Sequence, residues 1–202
     1  MAEAGASLPL FPLHAVLVPG APLDLRIFEP RYLDMVRDCG RAGTGFGVCL
    51  ILGGGETGAP ATPASWGTEA VIEDFGTTVD GLLALRVRGM RRFRVVRTRV
   101  RDNGLLVGDV AFHEDVAGAR GASPRLRPEH ALLAELLRRI LSRVGGEHAD
   151  AEPALFEDAS WVGWRLAEWL PLTASARQAL LQVDDAHARL QRLLDGIGGD
   201  ED

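Results

Sequence analysis

From Leu8 to Phe112 the chain shows short segments in which apolar and polar residues alternate or apolar residues run unbroken; beyond His113 the apolar positions recur three and four apart. The first spacing is that of strands and the second that of helices, so the order along the chain predicts an α+β protein with its sheet first. The stretch from Leu8 to Tyr32, LPLFPLHAVLVPGAPLDLRIFEPRY, sets the frame. Pro9 and Pro12 remove backbone donors, which predicts a first strand that is short, broken or at a sheet edge. Val16 to Val18 can pair before Pro19, Gly20 and Pro22 force a turn. Leu23, Leu25 and Ile27 then alternate with Asp24 and Arg26 as in a half-buried strand, and Pro30, after Glu29, opens a helix that runs to Gly40.

Phe46 to Leu52 is apolar throughout and predicts a strand buried on both faces. Gly53 to Trp66, rich in Gly, Ala and Pro, predicts a surface loop. Gly67 to Thr77 and Leu82 to Arg88 form a hairpin across Asp80-Gly81. In Met90 to Val100 the alternation changes phase between Val95 and Val96, which predicts a bulge. Asn103-Gly104 turns the chain into Leu105 to Phe112. Six to seven short strands at this spacing favour a barrel. Residues 1–116 are thus expected to form a barrel, 117–127 a linker, 128–196 a helical subdomain and 197–202 a disordered acidic tail. Within the helical part, Leu132 to Val144 ends at Gly145. A second helix is capped by Asp158 or Ser160 and stopped at Pro171, and a third runs from Thr173 to Gly196.

Composition narrows the chemistry. All 22 basic residues are arginine, so a P-loop lysine, a Ser-Lys dyad and Schiff-base catalysis are excluded. A net charge of −6 argues against general affinity for nucleic acid. No stretch reaches bilayer length and MAEAGAS lacks the features of a signal peptide, so a cytoplasmic location without membrane contact is expected. Cys39 and Cys49 read as buried free thiols, and the six serines include no nucleophile elbow. His113-Glu114-Asp115 and Glu147 to Asp150 are the only groupings with metal-ligand chemistry, and they read as solvated turns; no cofactor or metal is expected.

LPLFPLHAVLVPG followed by LRIFEPRY resembles the opening of the Lon N-terminal domain family, the substrate-recognition module of the Lon proteases, which also occurs alone. WVGWRLAEWLPLTASARQALLQVDDAHARLQRLL is similar to the family's helical part, with Gln178, Leu180 and Leu181 at its Gln-x-Leu-Leu step. The resemblance implies a PUA-like β-barrel followed by a helical bundle, and a non-catalytic domain that binds unfolded or apolar polypeptide segments or a protein partner. The ATPase and protease modules of the full proteases have no counterpart in these residues.

Candidate contacts follow. Leu10, Phe11, Val16, Phe28, Tyr32 and Trp161 are the apolar residues expected to meet a polypeptide, with an open strand edge between Leu8 and Val18 available for β-augmentation. Arg26, Glu29 and Arg31 crowd the strand-helix corner, where an Arg-carboxylate pair locks the fold or meets a ligand. Arg86 to Arg101 holds eight arginines in sixteen residues without an acid, and Arg94, Arg97, Arg99 and Arg101 make an alternative nucleic-acid face. Trp164 and Trp169 lie on the apolar arc of their helix. Trp161 falls beside it, partly exposed and within reach of Arg165.

Overall fold

The computed structural model describes residues 6–59, 61–113 and 124–198. The chain divides into two compact units, Met1–His113 and Glu114–Asp202.

The first unit contains β1 (Ala6–Leu13), β2 (Pro22–Ile27), α1 (Pro30–Ala42), β3 (Phe46–Gly53), β4 (Thr62–Thr77), β5 (Leu83–Val100) and β6 (Leu106–His113). The strands form one sheet in the order β2-β5-β4-β3-β1-β6, and β5 also pairs with β6. Five strands therefore close into a barrel, and β2 hangs outside the ring on β5.

β1 is not at the edge. Ala6–Pro9 pair antiparallel with β6 and Leu10–Leu13 pair parallel with β3. Each half needs donors on one side only, which is how a strand with two prolines fits inside a ring. Val16 to Val18 is loop rather than strand, yet Leu17 and Val18 are buried. Thr68 Oγ1 donates to the Leu17 carbonyl at 2.6 Å. Gly20 N–H donates to the Gly89 carbonyl at 2.8 Å, and Gly89 N–H returns a bond to Ala21 at 2.9 Å. A side chain at Gly89 would collide with the Val18 carbonyl oxygen, so this clasp requires glycine.

β5 is one strand of 18 residues, not two, and its ladder with β6 slips between Val95 and Arg97, where the phase change predicted a bulge. β4 begins at Thr62, so the last five residues of the expected loop, Thr62 to Trp66, are strand. Its ladder with β3 is irregular beyond Cys49, which accommodates Pro63. The barrel core holds Leu8, Leu10, Cys49, Phe93, Leu106 and Val110, with Val95 and Phe112 packed against it. Phe93 fits because Gly47 and Gly67 flank it: a Cβ on either would stand 2.5 or 2.6 Å from its ring. Cys39 and Cys49 are free and buried, and burial pushes the Cys49 thiol up to about 12.

The second unit contains a 3-10 turn (Pro128–His130), α2 (Ala131–Val144), another turn (Pro153–Glu157), α3 (Ala159–Trp169), α4 (Ala174–Leu181) and α5 (Ala186–Gly198). α3 packs on both α2 and α5 and is buried along most of its length. Asp158 caps it, accepting from Ser160 and Trp161 N–H. Gly163 admits α5 closely, and the guanidinium of the fully buried Arg189 lies 3.7 Å over the Trp164 ring. The expected third helix is in fact two. The chain breaks after Leu181, and Asp185 caps α5 by accepting from Ala188 N–H at 2.7 Å.

Of the expected linker, 117–123 lie outside the described residues. Pro124 to Arg127 are held by the helical unit: Leu126 N–H donates to Glu157, the Pro124 carbonyl accepts from Ala159, and Arg125 bridges to Asp158. Of the expected tail, Ile197 and Gly198 belong to α5 and 199–202 lie outside the described residues. Among the described residues no helix is long and apolar enough to cross a membrane.

Candidate functional site

The corner between β2 and α1 is built from Glu29 and Pro30. Glu29 is extended at the N-cap and its carbonyl accepts from Tyr32 and Leu33 N–H at 3.0 Å, while Pro30 occupies the first helical turn, where no donor is needed. The Glu29 carboxylate does not cap the helix. It meets Arg31 Nη2 at 2.9 Å, with the two side chains only 18% and 8% exposed. Arg31 Nη1 donates to the Gly104 carbonyl at 3.2 Å, and its guanidinium lies 4.8 Å from the Tyr32 ring centre. Arg31 thus ties the β2–α1 corner to the turn at Gly104, and Glu29 balances its charge where water is scarce. Arg26 stands apart: it is exposed and makes no ion pair among the described residues.

Beside this corner lies a groove of about 370 Å³. Phe11, Leu13, Phe28 and Tyr32 give it an apolar lining; Asp24, Arg26, Glu29 and Glu56 are its charged groups. Phe11 and Tyr32 meet edge to face at 4.3 Å, and Phe11 packs on Phe46 at 6.0 Å, so this wall is set by aromatic packing. Burial raises the Tyr32 hydroxyl above its ordinary value, against the pull of Arg31. Phe28 is 55% exposed, an aromatic left in water at the mouth.

The groove runs along consecutive residues of β2, and among the described residues β2 has one neighbouring strand only. The bond from Gly89 N–H to the Ala21 carbonyl sets the parity of the β2–β5 ladder, whose register continues from Pro22–Arg88 to Ile27–Leu83 without a slip. Alternation places Leu23, Leu25 and Ile27 in the hydrogen-bonded pairs with β5, so the N–H and C=O of Asp24 and Arg26 face outward. Pro22, the third outward position, has no N–H to offer. Among the described residues an open edge therefore lies on β2, whereas β1, where one was expected, is paired on both sides.

The expected contacts divide accordingly. Phe11, Phe28 and Tyr32 come together in the groove. Leu10 does not: it is fully buried against the glycines of β3 and β6 and can touch no ligand. Val16 is half-buried in the clasped loop. Trp161 belongs to the helical unit, half-buried and edge-on to Phe156 at 5.1 Å and His148 at 5.8 Å. Arg165 does not serve it as an exposed stacking partner, because Arg165 is buried beside Glu168 and His148 at 3.2 and 3.0 Å. Trp164 is buried, but Trp169 is 37% exposed and not core. Sequence patterns alone missed Leu13, Asp24 and Glu56 as lining residues. Asp24 and Leu13 sit beside flagged residues, whereas Glu56 arrives from a loop with no local signal.

The arginine-rich strand is partly neutralised by its neighbours. Arg88 and Arg91 pair with Glu73 and Glu69 of β4 at 2.7 and 2.9 Å. Arg97 and Arg99 share Asp109 of β6 at 2.9 and 2.8 Å, and their hydrogen bonds hold its carboxyl below the usual range. Arg92 is buried, its guanidinium 5.6 Å from the Trp66 ring centre. Arg94 and Arg101 are exposed.

No group of three or more potential metal ligands occurs among the described residues. Glu147 to Asp150 form a turn, as expected, with Glu147, Ala149 and Asp150 exposed and His148 half-buried against Arg165 and Trp161; Glu114 and Asp115 lie outside the described residues. His113 packs on Trp66 at 4.5 Å.

A closed five-stranded barrel with one strand annexed and a helical unit after it defines an α+β module of the Lon N-terminal type. The chain belongs to the family of the ATP-dependent protease La (LON) substrate-binding domain, whose model matches residues 7–197. The crystal structure of a Lon N-terminal domain protein from Xanthomonas campestris is 55% identical, with a TM-score of 0.78 over 94% of this chain and 97% of that one. The N-terminal domain of Mycobacterium avium complex Lon protease shares the fold at 18% identity and a TM-score of 0.65, covering 97% of this chain and 100% of that one.

Proposed function

We propose that this chain binds segments of other polypeptides at the β2 groove and performs no chemistry of its own. The observation that carries the reading is the coincidence of an unpaired strand edge with an aromatic-lined groove: backbone pairing holds an extended segment, and the groove takes an apolar side chain. The family's substrate-binding character agrees with it. The absence of lysine agrees with the lack of ATP hydrolysis and Ser-Lys proteolysis.

A reduced and alkylated protein, unfolded in buffer, is the probe. It is expected to bind with a roughly micromolar Kd, since a small groove must order a flexible ligand. Affinity is expected to change little between low and moderate salt and to fall about tenfold in Phe28→Ala, which removes exposed apolar surface without opening the core. Binding indifferent to Phe28 would remove the groove from the reading. Steeply salt-dependent binding of single-stranded RNA instead, lost when Arg97 and Arg99 are replaced, would transfer the function to the arginine face.

A further inference from the structure

We infer that the β2 edge selects its polypeptide by charge order, taking a segment that reads acidic, apolar, basic from N to C terminus. This rests on the polypeptide-binding reading above and adds to it the chemistry of the segment.

Asp24 and Arg26 are the two residues whose N–H and C=O groups face outward, so a third strand would set one of its own residues directly opposite each. Their side chains share one face of β2. Asp24 is 77% exposed on its side chain and reaches Arg86 only at 3.5 Å, and Arg86 also approaches Glu73. Arg26 is exposed and has no ion pair among the described residues. Both charges are thus available to an incoming strand, and opposite charges in directly opposed positions attract while like charges repel.

The direction follows from the sheet. β2, β5 and β4 are antiparallel throughout, and an added antiparallel strand continues that ladder with the better bond geometry. Such a segment meets Arg26 first, then Leu25, then Asp24. Its acidic residue lies opposite Arg26 and its basic residue opposite Asp24. The residue between them turns to the Leu25 side, and Leu25 lines the groove together with Phe11 and Tyr32. β2 itself reads Asp24-Leu25-Arg26, so a second copy of the chain is the competing occupant.

Two dye-labelled peptides of one composition test the inference, one with a central Glu-Val-Lys and the other with Lys-Val-Glu in the same neutral flanks. By fluorescence polarisation the first is expected to bind about three- to tenfold more tightly, and the double variant Asp24→Arg, Arg26→Asp is expected to invert the preference. Both positions are exposed, so an unchanged circular dichroism spectrum is expected for the variant, with a melting curve lowered only slightly by the like charge that Asp24→Arg sets opposite Arg86. Equal binding of the two peptides, or a preference for Lys-Val-Glu by the unaltered chain, would overturn the charge order while leaving polypeptide binding standing. Failure of both peptides and of the alkylated protein to bind would sink both readings. Sedimentation showing a dimer that dissociates in Arg26→Asp, with neither peptide bound, would assign the edge to a second copy.

Discussion

The two ends of β5 belong to one strand and meet different fates. From Arg92 to Arg94 it lies between β4 and β6, where the ring closes, and from Val95 to Val100 it runs on with β6 alone; from Leu83 to Arg88 it lies between β4 and β2, and the ladder stops at β2. At the closed end the interior is filled by Phe93, fully buried, and the charges outside are matched across strands, as Asp109 is by Arg97 and Arg99. At the open end Phe75 is 75% and Phe28 55% exposed, and Asp24 and Arg26 offer backbone groups to solvent. Where the ring closes, from Arg92 to Arg94, both edges of β5 are spent on the fold itself. A strand left outside the ring keeps one for other uses, guarded by a proline and two charges against indiscriminate pairing.

The contrast breaks first at the closed end. Phe93→Ala removes the ring around which Gly47 and Gly67 are shaped, and it is expected to cost about 3–5 kcal/mol. A lower urea midpoint, with amides of β3 and β6 exchanging faster, checks it; an unchanged midpoint would mean that the barrel core lies elsewhere. Glu29→Ala comes next and acts at the anchor of the open end. Arg31 would keep the Gly104 carbonyl but lose its carboxylate at a site only partly screened, for an expected loss of about 2 kcal/mol, between the values for exposed and buried pairs. A midpoint indistinguishable from that of an exposed substitution would free Glu29 to be read as a ligand contact.

The smallest effect is expected at the outer face of the closed end. Asp109 has a folded-state pKa below its unfolded value, so whatever stability its two arginines confer is present above the usual carboxylate pKa, near 3.9, and is lost as pH falls through the lowered value. Asp109→Asn should therefore differ slightly from the unaltered chain at neutral pH, and the gap should close in acid. A gap that persisted unchanged below about pH 2 would locate the effect in something other than the charge.

Local devices were legible in the chain's own residues. Pro30 after an alternating run marked the corner, Asn103-Gly104 and Asp80-Gly81 marked their turns, Gly145 ended α2, and the phase change after Val95 marked the bulge, because each acts through its own backbone. The groove was half legible: Phe11, Phe28 and Tyr32 lay near the corner in sequence. The features that local pattern does not carry depend on distant partners. The acids that pair with arginines of β5 come from β2, β4 and β6, so the stretch itself, which holds no acid, reads as a cationic face. Pro9 and Pro12, set against one partner strand, imply a short, broken or edge strand, whereas β1 divides itself between two partners. The break between α4 and α5 was hidden because Val183 is apolar and buried and kept the helical spacing across it.

That division of β1 has a consequence for how the molecule is made. Leu10 to Leu13 can find β3 soon after both have left the ribosome, but Ala6 to Pro9 wait for Val107 to Val110, about a hundred residues later. At synthesis rates of about 5–20 residues per second the interval is on the order of ten seconds. Leu8 and Leu10 spend that time without the barrel wall that will bury them. The first strand to emerge is among the last to be enclosed, and the nascent chain is itself, for those seconds, an unfolded polypeptide with an apolar segment exposed.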